Sequence, residues 1–242
     1  MTIGIILAAG SGIRFGTDIP KQFVKINNRR ILDFSVHTFD SNPLIDEVII
    51  VVNRNWGNII SKEYSNFKIV SGGETRKDSS FAGLITCNSG TNKVLIHDSA
   101  RPFVDHSIIE NCIKALDNNS AVTTAIPVND TIIQIQDDNI IEMPNRSILR
   151  AEQTPQGFDY QTIMKAHKQF RGDATDDIRL VMELGITPKF ITGSPKNFKI
   201  TTLEDFNRAK LVLGKRIETI KTFNEFYRYV YNVIRKDFSI NE

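Results

Sequence analysis

Cysteine is scarce in this sequence: Cys87 and Cys112 are the only two among 242 residues, and they form no CxxC spacing. That argues against a disulfide framework and a cysteine zinc site, and it suits a reducing cytoplasm, where the chain is expected to work. An excess of one charge is lacking too. Thirty basic residues face 28 acidic ones, a net of +2, so no broad basic field recommends nucleic acid as a partner. Any phosphate chemistry must come from local cations. No apolar stretch approaches the roughly 18 residues that a bilayer span requires. The apolar run at 3–9 has no basic leader and no small-residue cleavage site, so it is not read as a signal peptide. Internal repeats and low-complexity linkers are absent as well.

What is present is concentrated near the start. Residues 3–9 are continuously apolar and are cut off by glycine, which reads as a strand buried on both faces. Gly10, Gly12 and Gly16 then form a loop whose backbone can approach an anion closely, because glycine has no Cβ. Successive N–H groups in such a loop make a nest for phosphate oxygens. Arg14 and Lys21 add two cations seven residues apart, with Pro20 fixing the backbone before the lysine. A dinucleotide fingerprint starting at Gly10 and Gly12 would need glycine or alanine at 15, where Phe15 stands. A Walker A loop would need Gly-Lys-Ser/Thr, whereas Thr17 and Asp18 follow Gly16. Both common phosphate loops are therefore excluded. Two cations converging on one phosphate would stabilise charge developing during group transfer; ordinary surface cations are the other reading.

Further along, helical spacing at 30–39, a strand at 48–52, a short strand at 67–70, a helix at 79–87 and a strand at 93–98 follow in turn. A helix at 108–116 and a strand at 121–128 continue the alternation. The pattern predicts an α/β protein with a doubly wound, mostly parallel sheet, whose ligands collect at the carboxyl ends of the strands. Residues 127–150 differ. An alternating run at 131–136, a turn at 137–139 and a second extended run at 140–143 predict a β-hairpin arm. An isolated hairpin is marginally stable, so the arm packs on its own domain or on a second subunit. Helices at 158–170 and 176–184, a strand at 188–192 and a helix after Thr201 or Thr202 complete a domain spanning 1–213. The tail at 214–242 spaces aromatic and aliphatic residues helically and reads as a terminal helical extension.

Two more constellations lie at predicted strand ends. Gly72-Gly-Glu-Thr-Arg-Lys-Asp-Ser79 is a plain strand–turn–helix connection or a loop that meets a base or ribose. Asp98 closes a buried strand and precedes Ser-Ala-Arg-Pro102. Its carboxylate is a candidate Mg²⁺ ligand, or it forms a structural ion pair with Arg101. His97 reads as a partly buried histidine making a structural hydrogen bond. The remaining histidines have no ligand spacing, and Ser79 lacks a nucleophile-elbow context.

Together these motifs resemble the IspD/TarI family of CTP-dependent sugar-alcohol-phosphate cytidylyltransferases, over roughly residues 3–213. The resemblance rests on Leu7-Ala-Ala-Gly-Ser-Gly-Ile-Arg14, Pro20-Lys-Gln22, the 72–79 motif, His97-Asp-Ser-Ala-Arg-Pro102, Asp130-Thr131, Gln153-Thr-Pro-Gln156, Thr175-Asp-Asp177 and Asn197-Phe-Lys-Ile-Thr201. It implies a Rossmann-like nucleotidyltransferase fold and a homodimer interlocked through the 127–150 arm. CTP would be bound by Ala8, Ala9, Gly10, Ser11 and Gly12, by Gly72, Gly73 and Ser79, and by Asp98, Ser99 and Arg101. Asp98 would carry Mg²⁺. Arg14 and Lys21 would stabilise the transition state, while Arg146 and Lys199, with Thr131 and Thr154, would position the incoming polyol phosphate. Thr131 and Arg146 would come from the neighbouring subunit's arm.

Two branches of the family compete for the acceptor. Gln153-Thr-Pro-Gln-Gly-Phe158, Ala82-Gly-Leu84, Ala166-His167 and the setting of Lys199 favour 2-C-methyl-D-erythritol 4-phosphate. Pro144-Asn-Arg146 and Trp56 lean toward D-ribitol 5-phosphate, and Ser99 and Ile148-Leu-Arg150 depart mildly from the methylerythritol pattern. Two readings of other classes are a catalytically silent nucleotide-binding assembly protein, against which Arg14, Lys21 and Lys199 all speak, and a nicotinamide-dependent oxidoreductase, against which Phe15 speaks.

Overall fold

The first strand, β1 (Thr2–Ala8), is buried along its whole length. In a computed structural model of the chain, which describes residues 1–10, 19–172 and 174–214, Ile3, Ile5 and Leu7 pack on one face of the sheet. Ile6 and Ala8 pack on the other. Because side chains alternate along a strand and both faces are covered, the strand must be apolar at every position. Each such isoleucine contributes about 1.5–3 kcal/mol by leaving water.

Short strands β2 (Lys25–Ile26) and β3 (Arg29–Arg30) precede α1 (Ile31–Asp40). Then come β4 (Glu47–Val52), α2 (Arg54–Glu63), β5 (Lys68–Ser71), α3 (Arg76–Leu84), β6 (Lys93–Asp98), α4 (His106–Ala115) and β7 (Ala121–Pro127). The hairpin strands β8 (Gln134–Gln136) and β9 (Asn139–Glu142) follow, and then β10 (Arg150–Asp159), α5 (Tyr160–Gln169), α6 (Asp177–Met182), β11 (Lys189–Thr192) and α7 (Leu203–Gly214). Seven strands form one sheet in the order β11-β7-β10-β6-β1-β4-β5. β10 runs antiparallel to both its neighbours, while the other pairs are parallel. Helices α1, α2 and α4 cover one face through Phe39, Ile60 and Ile109; α3, α5 and α6 cover the other through Leu84, Ile163 and Val181. Gly4 is required here, since a Cβ there would lie 2.5 Å from the Phe39 ring.

The predicted doubly wound, mostly parallel sheet is therefore found; the short β2–β3 pair is an addition, and three further elements differ from expectation. The sequence reading leaves 153–157 without an element and begins a helix at 158, whereas β10 occupies that stretch at the centre of the sheet. Its polar composition and Pro155 hide it: the ladder shifts register between Gln153 and Gln156, so Pro155 sits where no ladder donor is needed. Helix α2 is also missed, since Gly57 and two asparagines weaken its propensity, yet Asn53 caps it by accepting from Asn55 N–H at 3.0 Å. Helix α3 starts three residues before the expected position. Thr75 is its N-cap, accepting from Asp78 N–H while Asp78 accepts from Thr75 N–H. That capping box places Arg76 in the helix's first turn.

The arm is present as a two-stranded sheet apart from the main one. Asp137 and Asp138 both adopt positive φ, 46° and 64°, which suits the right-handed twist of a two-residue hairpin turn. Every residue from 131 to 143 is exposed, including Ile135, Ile140 and Met143. The helical extension expected at 214–242 lies, beyond Gly214, outside the described residues. No helix among the described residues is long and apolar enough to cross a membrane.

Candidate active site

A cleft of about 1090 Å³ opens at the carboxyl ends of β1, β4, β5 and β6, as expected for such sheets. One wall is the end of β1, with Ala8, Ala9 and Gly10, facing Lys21 on a 3-10 turn. A second wall is the β5–α3 turn, with Gly72, Gly73, Arg76 and Ser79. Asp98, the last residue of β6, and Ser99 just after it line the cleft between these walls, and Lys199 and Thr201 complete the lining.

Gly72 N–H donates to Val52 O at 2.8 Å, which continues the β4–β5 ladder into the turn. A Cβ on Gly72 would lie 2.6 Å from Ala9 Cβ and 2.7 Å from Ser79 Oγ. The turn thus approaches the β1 end as closely as a residue without a side chain permits, and the two walls meet there.

Asp98 is the electrostatic centre. Its Oδ2 lies 2.6 Å from Lys199 Nζ and its Oδ1 lies 3.3 Å from Arg76 Nε. Burial alone would push its carboxyl upward, but the Arg76 and Lys199 charges outweigh burial and hold it well below the usual carboxylate range. Arg76 also reaches the buried Asp177, Nη1 to Oδ2 at 2.6 Å, and Asp177 meets His167 Nε2 at 3.0 Å. Burial likewise opposes ionisation of Asp177, and Arg76 with His167 overcomes it.

Behind Asp98 lies a neutral hydrogen-bonded chain. Asp98 N–H donates to Thr154 Oγ1 at 3.0 Å, and the Thr154 hydroxyl lies 3.0 Å from His97 Nδ1. His97 Nε2 lies 3.1 Å from Arg101 O. A carbonyl only accepts, so His97 carries its proton on Nε2 and accepts a hydrogen bond from the Thr154 hydroxyl at Nδ1. His97 is fully buried rather than partly so, and that burial pushes its pKa down to about 4. Arg101 makes no direct pair with Asp98, contrary to the ion-pair reading. Its guanidinium donates instead to Asn197 O at 2.9 Å and Glu152 O at 3.2 Å. With Ile200 N–H on Ala100 O at 2.8 Å and Asn197 Nδ2 on Thr154 O at 2.9 Å, these bonds fasten the segment that carries Lys199 against the end of β6.

The structure thus brings Ala8, Ala9, Gly10, Lys21, Gly72, Gly73, Ser79, Asp98, Ser99 and Lys199 to one cleft. Thr154 and Arg101 stand behind it as supports. Thr131 and Arg146 lie on the exposed arm, where the Arg146 guanidinium donates to Asn129 O; neither lines this chain's own cleft. Ser11, Gly12 and Arg14 lie outside the described residues. Sequence reasoning missed Arg76, Asp177 and Gln22. A signal for Arg76 existed: a cation in the first turn of a helix opposes the helix dipole, so nearby carboxylates are required to hold it.

Comparison with known proteins agrees with this geometry. The family model described as IspD, 2-C-methyl-D-erythritol 4-phosphate cytidylyltransferase, matches residues 2–215. The chain is 41% identical over 219 residues to the 2-C-methyl-D-erythritol 4-phosphate cytidylyltransferase of Clostridioides difficile strain 630, covering 87% of this chain and 92% of that one. The protein of the same name from Desulforamulus reducens is 37% identical, with 88% and 96% covered. Among solved structures, 4-diphosphocytidyl-2C-methyl-D-erythritol synthase from Anaerococcus prevotii DSM 20548 superposes with a TM-score of 0.79 at 32% identity, covering 88% of this chain and 96% of that one. The chain belongs to the IspD family of 2-C-methyl-D-erythritol 4-phosphate cytidylyltransferases.

Proposed function

We propose that this enzyme transfers CMP from CTP to 2-C-methyl-D-erythritol 4-phosphate and releases pyrophosphate. The observation that carries the reading is the convergence of Lys21, Gly72, Gly73, Ser79, Asp98 and Lys199 on one cleft in a chain of this family.

The acceptor's phosphate monoester is mostly dianionic near neutral pH, its second pKa being about 6. It attacks the α-phosphorus of CTP in line. A bond forms from the acceptor oxygen to phosphorus, the bond from that phosphorus to the β-phosphate oxygen breaks, and its electron pair leaves with pyrophosphate. The nucleophile is already ionised, so the chain need not supply a general base. Its task is to position two polyanions and offset their repulsion. Lys21, with Arg14, braces the triphosphate. The 72–79 turn receives the cytidine, and Lys199, joined by Thr131 and Arg146, receives the acceptor phosphate.

Asp98 is the group that would hold Mg²⁺. It is kept ionised, and each carboxylate oxygen retains a second lone pair beside its cation. A single protein carboxylate sharing the metal with substrate phosphates is the usual arrangement for Mg²⁺, and no cluster of three acidic, histidine or cysteine ligands exists among the described residues. When bound, Mg²⁺ supplies charge neutralisation to the phosphates.

The arm supports a homodimer. Ile133, Ile135, Ile140, Ile141 and Met143 are all exposed on the arm, apolar side chains that a second subunit would cover, and a neighbouring cleft is where Thr131 and Arg146 would meet substrate. Free Cys87 and Cys112 are in keeping with a cytoplasmic enzyme.

Pyrophosphate release from CTP and Mg²⁺, measured side by side with 2-C-methyl-D-erythritol 4-phosphate and D-ribitol 5-phosphate, tests the reading. Turnover with the first and little with the second is expected. Release with the ribitol ester alone would move the enzyme to the other branch, and release with neither would overturn cytidylyl transfer to these polyols.

A further inference from the structure

We infer that Gln22 is a positioning residue that ties Lys21 to the phosphate-facing end of β1. Its Nε2 donates to Ala8 O and to Gly10 O, each at 2.7 Å, and the side chain is 2% exposed. Carbonyls two residues apart in an extended segment point to the same side, and there a neighbouring strand would normally supply the donors. Past Ala8 the ladder with β4 has ended, and one carboxamide supplies both donors.

The turn that carries Lys21 leaves it little independent freedom. Phe23 N–H donates to Pro20 O at 2.9 Å and Val24 N–H to Lys21 O at 3.1 Å. Phe23 is buried and stacks on Trp56 with centroids 4.6 Å apart. Of the three residues in the turn, Phe23 anchors it to the core and Gln22 anchors it to the Ala8–Gly10 backbone. Lys21 and Gln22 both line the cleft, and Lys21 is the one that brings a charge to it. Phe23 fixes where the turn sits, and the two Gln22 hydrogen bonds tie the turn that carries Lys21 to the Ala8–Gly10 backbone. Breaking that tie leaves the Lys21 charge in place but lets its distance from the loop drift.

The inference rests on the proposed role of Lys21 toward the CTP triphosphate, and a double-mutant cycle separates the two. Gln22→Met removes both donors at nearly constant volume. Steady-state pyrophosphate release should show kcat down about 10²-fold, the order expected for a small misplacement of a reacting group, with the acceptor KM unchanged within about twofold. Gln22→Met combined with Lys21→Ala should be no slower than Lys21→Ala alone, because the tie has nothing left to position. A wild-type kcat for Gln22→Met, or fully multiplicative losses in the double variant, overturns the inference. Lys21→Ala with wild-type turnover overturns the role of Lys21 and the inference with it. If Gln22→Met does not fold, Gln22→Asn, which keeps an amide one methylene shorter, is measured in its place with the same two readings.

Discussion

Lys199 Nζ lies 2.6 Å from Asp98 Oδ2, although the two residues are 101 positions apart in the chain. The lysine is more exposed than its partner, 38% against 12% of side-chain surface, and Arg76 holds the other carboxylate oxygen. Lys199 can therefore engage a second anion while Asp98 stays fastened and ionised.

Lys199→Ala is expected to raise the acceptor KM and to lower kcat/KM by on the order of 10²-fold, the loss typical of one charge-stabilising donor. Thermal unfolding should shift modestly downward, because the buried Asp98 loses one of the two cations that offset its burial while Arg76 keeps hold of the other oxygen. A normal acceptor KM in steady-state assays would remove Lys199 from the acceptor site.

Lys21→Ala and Arg14→Ala should each reduce turnover by on the order of 10²-fold or more at saturating substrate. The decisive measurement is kcat from pyrophosphate release. Unchanged kcat in either variant would show that the cation is not on the transferring phosphate.

His97 makes stability depend on pH. Its folded pKa is depressed to about 4, while the unfolded value is about 6.5. Between those values the unfolded chain binds more protons than the native one, so stability falls as pH drops through this window. Denaturant titrations should find the protein about 2 kcal/mol less stable at pH 5 than at pH 7 from this group, at 1.36 kcal/mol per pKa unit. His97→Gln should flatten that dependence, and an equally steep slope in the variant would assign it elsewhere.

If the arm is exchanged between subunits, Arg146→Ala mixed with Lys21→Ala should recover activity that neither variant has alone. Each heterodimer then contains one site with an intact lysine and an intact arm. Mixing after mild unfolding and refolding, followed by the pyrophosphate assay, reads this directly. No recovery would argue for a site built within one chain.

Much of the fold was legible locally. The continuous apolar run of β1 announced a strand covered on both faces, and the glycines after β1 and β5 marked where backbone could approach a ligand. The alternation of strands and helices placed those turns at one end of a parallel sheet. The paired aspartates at 137 and 138 marked the hairpin. These signals are short-range: side-chain period, glycine's missing Cβ and turn geometry all act within a few residues.

What local pattern could not supply was the partner of each charge. Sequence proximity suggested Arg101 for Asp98, but Arg101 turned to the Asn197 and Glu152 carbonyls. Arg76 and Lys199 took the carboxylate instead. That outcome depends on β10, a polar strand interrupted by proline that carries no periodic signal, entering antiparallel between β6 and β7. Once there, Thr154 and Gln153 receive the segment around Asn197, and Lys199 is delivered to Asp98. The sequence by itself determined where the strands, the glycine turns and the cations lie along the chain. Only the tertiary structure decided which of them share a charge, because Coulomb pairing in a buried site follows distance through space rather than along the chain.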